Sequence, residues 1–169
     1  MRIHFSQLFW GLLLVILDFS INGIDLFADG IGYLIVAAGC RDLVSLSPQF
    51  STARALCFVL ALLWLVGFAV SGDAVVVYGF ATTIVNCVMI WHLLGGIAEF
   101  ALSRDRRDLA AKAGNRRLAY VVITLGISLL AFEGGSHDAA ALVVVLIGAI
   151  LVLLVLILHL IHRVKTELA

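Results

Sequence analysis

The chain has one proline in 169 residues, three cysteines, and charged side chains at only 13% of positions. A soluble domain usually carries about 25% charged and about 45–50% apolar residues. Here 63% of residues are hydrophobic and the mean hydropathy is +1.17. So few charges cannot cover so much apolar surface, which excludes an ordinary soluble domain and indicates a multi-spanning membrane protein. Cys40, Cys57 and Cys87 are isolated, with no CxxC pair and no zinc spacing, which argues against a metal knuckle. Small thiols inside helices pack as hydrophobes. Enzyme signatures are also missing. There is no G-x-S-x-G, H-E-x-x-H, Gly-rich phosphate loop or paired D-x-x-D, and no soluble domain to hold a cofactor. The expectation is a non-enzymatic protein with no cofactor and no metal.

What is present is a series of long apolar runs. A helix needs about 20 residues to cross the hydrocarbon core. Six segments qualify, at about 3–21, 28–46, 51–71, 74–102, 117–133 and 138–162. Pro48 and its neighbouring serines fit a tight turn between the second and third, and "EGGSHD" fits one between the fifth and sixth. The opening "MRIHFSQLFWGLLLVIL" imitates a signal peptide, but no A-x-A-like cleavage site follows, so it reads as a retained first span.

The basic residues orient these spans. With the N-terminus in the cytoplasm, Arg2, Arg41, Arg54, Arg104, Arg106, Arg107, Lys112, Arg116, Arg117, Arg163 and Lys165 all fall inside. These are every Lys and Arg in the chain, and the positive-inside rule then favours six spans with both termini cytoplasmic. Asp18, Asp25, Asp29, Asp73, Glu133 and Asp138 fall on or near the outer face, and Asp42, Glu99, Asp105, Asp108 and Glu167 inside. A basic inner face fits a plasma (inner) membrane with anionic headgroups at Arg104, Arg106, Arg107, Lys112, Arg116 and Arg117. The loop "SRDRRDLAAKAGNRR" should extend the fourth helix to about Ala113 and stop at Gly114-Asn115, with Arg104–Asp108 and Asp108–Lys112 as i, i+4 pairs. It is too short, and too poor in aromatic residues, to bind nucleic acid.

The carboxylates gather in "DFSINGIDLFADGIGY", residues 18–33. Asn22-Gly23 signals a turn. Asp25 and Asp29 would sit at the N-terminal end of the second helix, where its dipole favours negative charge. Asp29 or Asn22 would cap it. Gly30 and Gly32 would let another backbone approach, and Tyr33 would lie near the headgroups. Asp18 is deeper. On a continuous helix, Asp18, Asn22, Asp25 and Asp29 share one face. A carboxylate inside a span is costly and tends to be paired or functional. These four residues form a candidate outer polar cluster, for a cation, a proton or a partner, set against a simple capped turn.

The same stretch carries a resemblance. "FWGLLLVILDFSINGIDLFADGIGYLIVAAGCRDLVSLSPQFSTAR", Phe9 to Arg54, resembles a group of small uncharacterised multi-spanning bacterial membrane proteins. Their pattern is close to D-x-x-(I/L)-N-G-I-D-(I/L)-x-P-D-x-I-G-Y, followed by Phe-x-x-A-(K/R). The likeness covers about the first third of the chain, with Ala28 where the pattern has proline. Proline favours the first turn of a helix, so the resemblance implies a second helix starting near Phe27 to Asp29. It implies family membership and no activity.

Three further groups stand out. Gly79, Thr82, Thr83 and Asn86 recur at helical spacing and read as a packing stripe, as do Tyr120, Thr124 and Ser128. His92 and Glu99, with Gly95-Gly96 between them, form a candidate intramembrane pair for proton relay or a single polar contact. His159 and His162 with His92 would make a three-histidine site only if the helices brought them together. The sum is one all-α domain, 1–169, of six transmembrane helices with a basic cytoplasmic loop at 103–116. The expected function is a membrane partner, assembly or sensor protein, acting with another membrane protein or as a homo-oligomer. The alternative is a small transporter or channel subunit with Asp18, Asn22, His92 and Glu99 along a polar path.

Overall fold

The computed structural model describes residues 2–17, 20–21, 24–25, 29–72, 74–132 and 137–168. Six helices make up almost all of it: α1 (Arg2–Leu17), α2 (Asp29–Leu43), α3 (Gln49–Gly67), α4 (Ala74–Ser103), α5 (Arg107–Phe132) and α6 (His137–Glu167). One helix falls in each of the six apolar segments. Two-residue strands β1 (Ser20–Ile21) and β2 (Ile24–Asp25) pair antiparallel between α1 and α2. Among the described residues α3, α4 and the stretch of α6 from Leu142 are long and apolar enough to cross a membrane, and α1 is a shorter apolar helix.

Each helix packs against its neighbours in sequence, and α1 closes against α6, so the bundle is a ring. At one end, His4 of α1 stands 3.1 Å from Asp42 of α2, Arg106 reaches Glu167, and the Lys165 ammonium donates to Ser6 at 3.3 Å. We call this the basic end and the opposite one the hairpin end. The interior is apolar, with Phe5, Leu8, Phe50, Leu93, Leu94, Ile97, Phe100 and Ile161 fully buried. The outer surface is apolar as well: Val77 and Val144 are 72% and 68% exposed. Such a surface is stable only against something other than water.

α1 and α2 pack backbone against backbone. A Cβ on Gly32 would come within 2.6 Å of a Val15 methyl and 2.9 Å of the Gly11 carbonyl, and one on Gly11 within 2.8 Å of the Val36 nitrogen. The expected backbone approach is therefore made at Gly32, whereas Gly30 lies against the Trp64 ring. Small residues allow this approach in a setting where apolar burial alone drives no association.

The α4–α5 connection departs from expectation. α4 stops at Ser103, and residues 107–116 belong to α5. Asp105 takes a left-handed conformation, φ 56°. Its N–H donates to the Leu102 carbonyl at 3.0 Å and that of Arg106 to the Ala101 carbonyl at 2.9 Å. This pair of bonds is a Schellman stop, with Asp in the place usually held by Gly. Gly114 and Asn115 lie inside α5; glycine weakens a helix interior by only about 1 kcal/mol, too little to end one that packs on both sides. Asp108 sits in the first turn of α5 and pairs with Arg106 at 2.9 Å, not with Arg104.

Candidate functional site

The polar residues of the bundle separate into two groups. The first lies between the ring's middle and its hairpin end. Asn86 of α4 donates from Nδ2 to the Tyr33 hydroxyl of α2 at 2.8 Å, and its Oδ1 accepts from the Tyr120 hydroxyl of α5 at 3.0 Å. The chain of bonds therefore runs in one direction, from Tyr120 through Asn86 to Tyr33. Beside it is a cavity of about 330 Å³, lined by Asp29, Tyr33, Asn86 and Tyr120 together with Leu12, Val15, Ile16, Met89, Ile90 and Leu154.

Depth follows from helix geometry. Twelve residues of α4 precede Asn86 and twelve of α5 follow Tyr120. At about 1.5 Å per residue, each helix rises about 18 Å beyond the hydrogen-bonded chain toward the hairpin end. Asp29 is one turn from Tyr33 on α2, so it stands about 6 Å above the chain and well below those helix ends. Its Oδ1 is buried. α1 and α2, at 16 and 15 residues, are the two shortest helices, and their ends form one rim of the cavity.

Of the candidate outer cluster, Asp29 is thus at the cavity, in the first turn of α2 as expected. Asp25 is described only through its backbone, in β2. Asp18 and Asn22 lie outside the described residues. Tyr33 departs from the headgroup-level expectation: it is 5% exposed, because Asn86 draws its hydroxyl into the bundle. Asn86 and Tyr120, read from spacing as packing residues, are the centre of this site. The available signal was Asn86 itself, an amide deep inside an apolar run.

The second group is at the basic end. Glu99 accepts from the Ser47 hydroxyl and from the Gln49 side-chain amide, which fastens α4 to the start of α3. These are the partners of the Glu99 carboxylate among the described residues; His92 Nδ1 is buried and makes no hydrogen bond to any of them. Gly95 and Gly96 make room for Gln49 and Phe50 within an unbroken helix. The three histidines do not assemble: among the described residues, no group of three His, Cys, Asp or Glu side chains comes together.

Of the six basic residues expected at headgroups, two are held internally. Arg106 binds Asp108 and Glu167, and Arg116 donates to the Leu156 carbonyl at 2.5 Å. Hydrogen bonds from Arg106 hold the Asp108 carboxyl down at about 2 and raise the guanidinium in turn. Arg104, Arg107 and Lys112 are exposed, and the Arg117 guanidinium lies 4.3 Å from the centre of the Trp91 ring.

Between the two groups the core is apolar, filled by Met89, Ile90, Leu93, Leu94 and Ile97 of α4. The cavity and the Glu99 contacts are therefore separate features. No protein-family model matches the chain, and no curated protein or solved structure matches it.

Proposed function

We propose that the chain is a non-enzymatic integral membrane protein of the plasma (inner) membrane, crossing it six times with both termini in the cytoplasm. In this reading it serves as a sensor or assembly partner whose hairpin end faces outward. The observation that carries it is the division of polar groups: a cavity around Asp29, Tyr33, Asn86 and Tyr120, closed toward the basic end by apolar side chains. A site of this kind receives something without passing it on.

The interface position supports the same reading. A Trp ring with an Arg stacked on it is at home where hydrocarbon meets headgroups. If Trp91 and Arg117 mark the inner boundary, α4 has 18 residues from Ala74 to Trp91, about 27 Å, which nearly matches a hydrocarbon core of about 30 Å. Glu99 then stands eight residues beyond the boundary, in the headgroup and cytoplasmic layer, which accords with its exposure. His92 lies at the boundary itself. A transport path through His92 and Glu99 has no support in this arrangement. Arg104, Arg107, Lys112 and Arg117 remain to meet anionic lipid.

The test is flux in proteoliposomes. Proton and monovalent-cation fluxes should equal those of empty vesicles, for the natural chain and for His92→Gln and Glu99→Gln. A protein-dependent flux that Asp29→Asn removes, with the protein still folded, would establish the transporter reading instead.

A further inference from the structure

We infer that the cavity between α1, α2, α4, α5 and α6 binds a small organic ammonium ion, with its charge on the Asp29 carboxylate and its hydrocarbon part against Leu12, Val15, Ile16 and Leu154. This deepens the sensor reading and rests on it only for which side of the membrane the ligand arrives from.

Four observations carry the assignment. The volume, about 330 Å³, is at the lower end of the roughly 300–1,000 Å³ typical of small-molecule pockets. It would hold about ten waters at about 30 Å³ each, far more room than a bare metal ion fills. The charge is of one sign. Asp29 is the only ionic group among the described lining residues, and all eleven Lys and Arg stand in the sequence segments of the basic half or its boundary. Among the described lining residues an anionic ligand would meet no cation and one carboxylate.

The hydrogen-bond direction narrows the class further. Asn86 Oδ1 is taken by Tyr120, and the Tyr33 oxygen accepts from Asn86. A divalent cation such as Ca²⁺ requires about six to eight oxygen ligands. Among the described lining residues it would find one carboxylate, one amide oxygen and two hydroxyls, too few side-chain oxygens for that shell. An ammonium group needs fewer acceptors and can use a single carboxylate in a charge-assisted bond. The remaining wall is hydrocarbon and suits the apolar body of an amine.

The experiment uses the full chain in detergent, with tetramethylammonium, hexylammonium and benzylammonium as probes, benzyl alcohol as the neutral counterpart of the last, and Na⁺ and Mg²⁺ as inorganic controls. Binding is read by calorimetry and by the shift in thermal unfolding. The expected result is saturable binding of at least one ammonium probe, at least ten-fold weaker in Asp29→Asn and unchanged in Glu99→Gln. Benzyl alcohol should bind at least ten-fold more weakly than benzylammonium, a comparison made on the natural chain that holds even if Asp29→Asn fails to fold. Absence of saturable binding by all three ammonium probes overturns the inference. So does equal binding of benzyl alcohol, which means partition into grease, or preferential binding of Mg²⁺, which means a metal site. Failure here without protein-dependent flux leaves the non-transport reading standing; flux in vesicles with ammonium binding intact overturns that reading and keeps this one.

Discussion

The side-chain amide of Asn86 joins the Tyr33 hydroxyl at 2.8 Å, linking α4 to α2 across the ring, although α3 lies between them in the chain. A second bond from Tyr120 makes Asn86 the meeting point of three helices. Interhelical hydrogen bonds in membranes average about 0.6 kcal/mol and reach about 1.7. Asn86→Ala removes two of them and should lower stability by about 1–3 kcal/mol. Tyr33→Phe and Tyr120→Phe should each cost less, since each removes one bond. Thermal unfolding in mild detergent measures all three. If Asn86→Ala unfolds no earlier than either single Phe variant, Asn86 is not the junction described.

The α1–α2 contact gives a sharper contrast. An Ala methyl at Gly32 would sit 2.6 Å from a Val15 methyl and 2.9 Å from the Gly11 carbonyl, so the helices must separate. Overpacking of this sort typically costs about 1–3 kcal/mol. Gly148 of α6 has nothing within 4 Å of its Cβ direction. Gly148→Ala should stabilise by about 0.5–1 kcal/mol through helix propensity alone. Opposite signs for the two substitutions are expected in the same unfolding assay; equal signs would place the α1–α2 contact elsewhere.

How far the sequence reached is clear from particular residues. Long apolar runs located every helix, because burial of apolar length needs no knowledge of neighbours. The boundary at 103–107 was not legible: an exposed turn ending on Asp105 resembles a helix continuing through charged residues, and only the backbone angle separates them. Asp29 was readable as a residue of the second helix's first turn, from the glycines and the tyrosine after it. Its place at a cavity was not, since that depends on how far α4 and α5 rise beyond α1 and α2. The partners of Glu99 were equally hidden. Ser47 and Gln49 are about fifty positions away, and the nearer His92, suggested by spacing, is not among them.

The α4–α5 turn can be improved. Asp105 holds φ 56°, a conformation in which its Cβ crowds the neighbouring carbonyl at a cost of roughly 1–2 kcal/mol, somewhat less for Asp. Asp105→Gly should raise stability by about 0.5–1 kcal/mol. The ion pair it gives up, to Arg107 at 3.8 Å, is almost fully exposed and worth little. A lower unfolding temperature for Asp105→Gly would contradict the Schellman stop.

Asp108 supplies a pH dependence. Hydrogen bonds from Arg106 lower its pKa to about 2 in the folded chain, below an unfolded value of about 3.9. A depressed carboxylate stabilises the fold at all pH above the unfolded value and loses that contribution as pH falls through the folded one. The stability difference between the natural chain and Asp108→Asn should therefore be constant from pH 7 to about 5 and shrink between about pH 4 and pH 2. A difference that grew over that interval would mean the carboxyl is not held by Arg106.

The most direct test of the whole account is which face of the membrane each turn occupies. With Cys40, Cys57 and Cys87 replaced, single cysteines at Asp73, Ser136 and Lys112 are exposed in turn to an impermeant thiol reagent on intact cells. Six spans with a cytoplasmic N-terminus predict labelling at 73 and 136 from outside, and at 112 only after lysis. Labelling of position 112 in intact cells, or protection of 73 and 136, would contradict the six-span bundle and the outward-facing cavity with it.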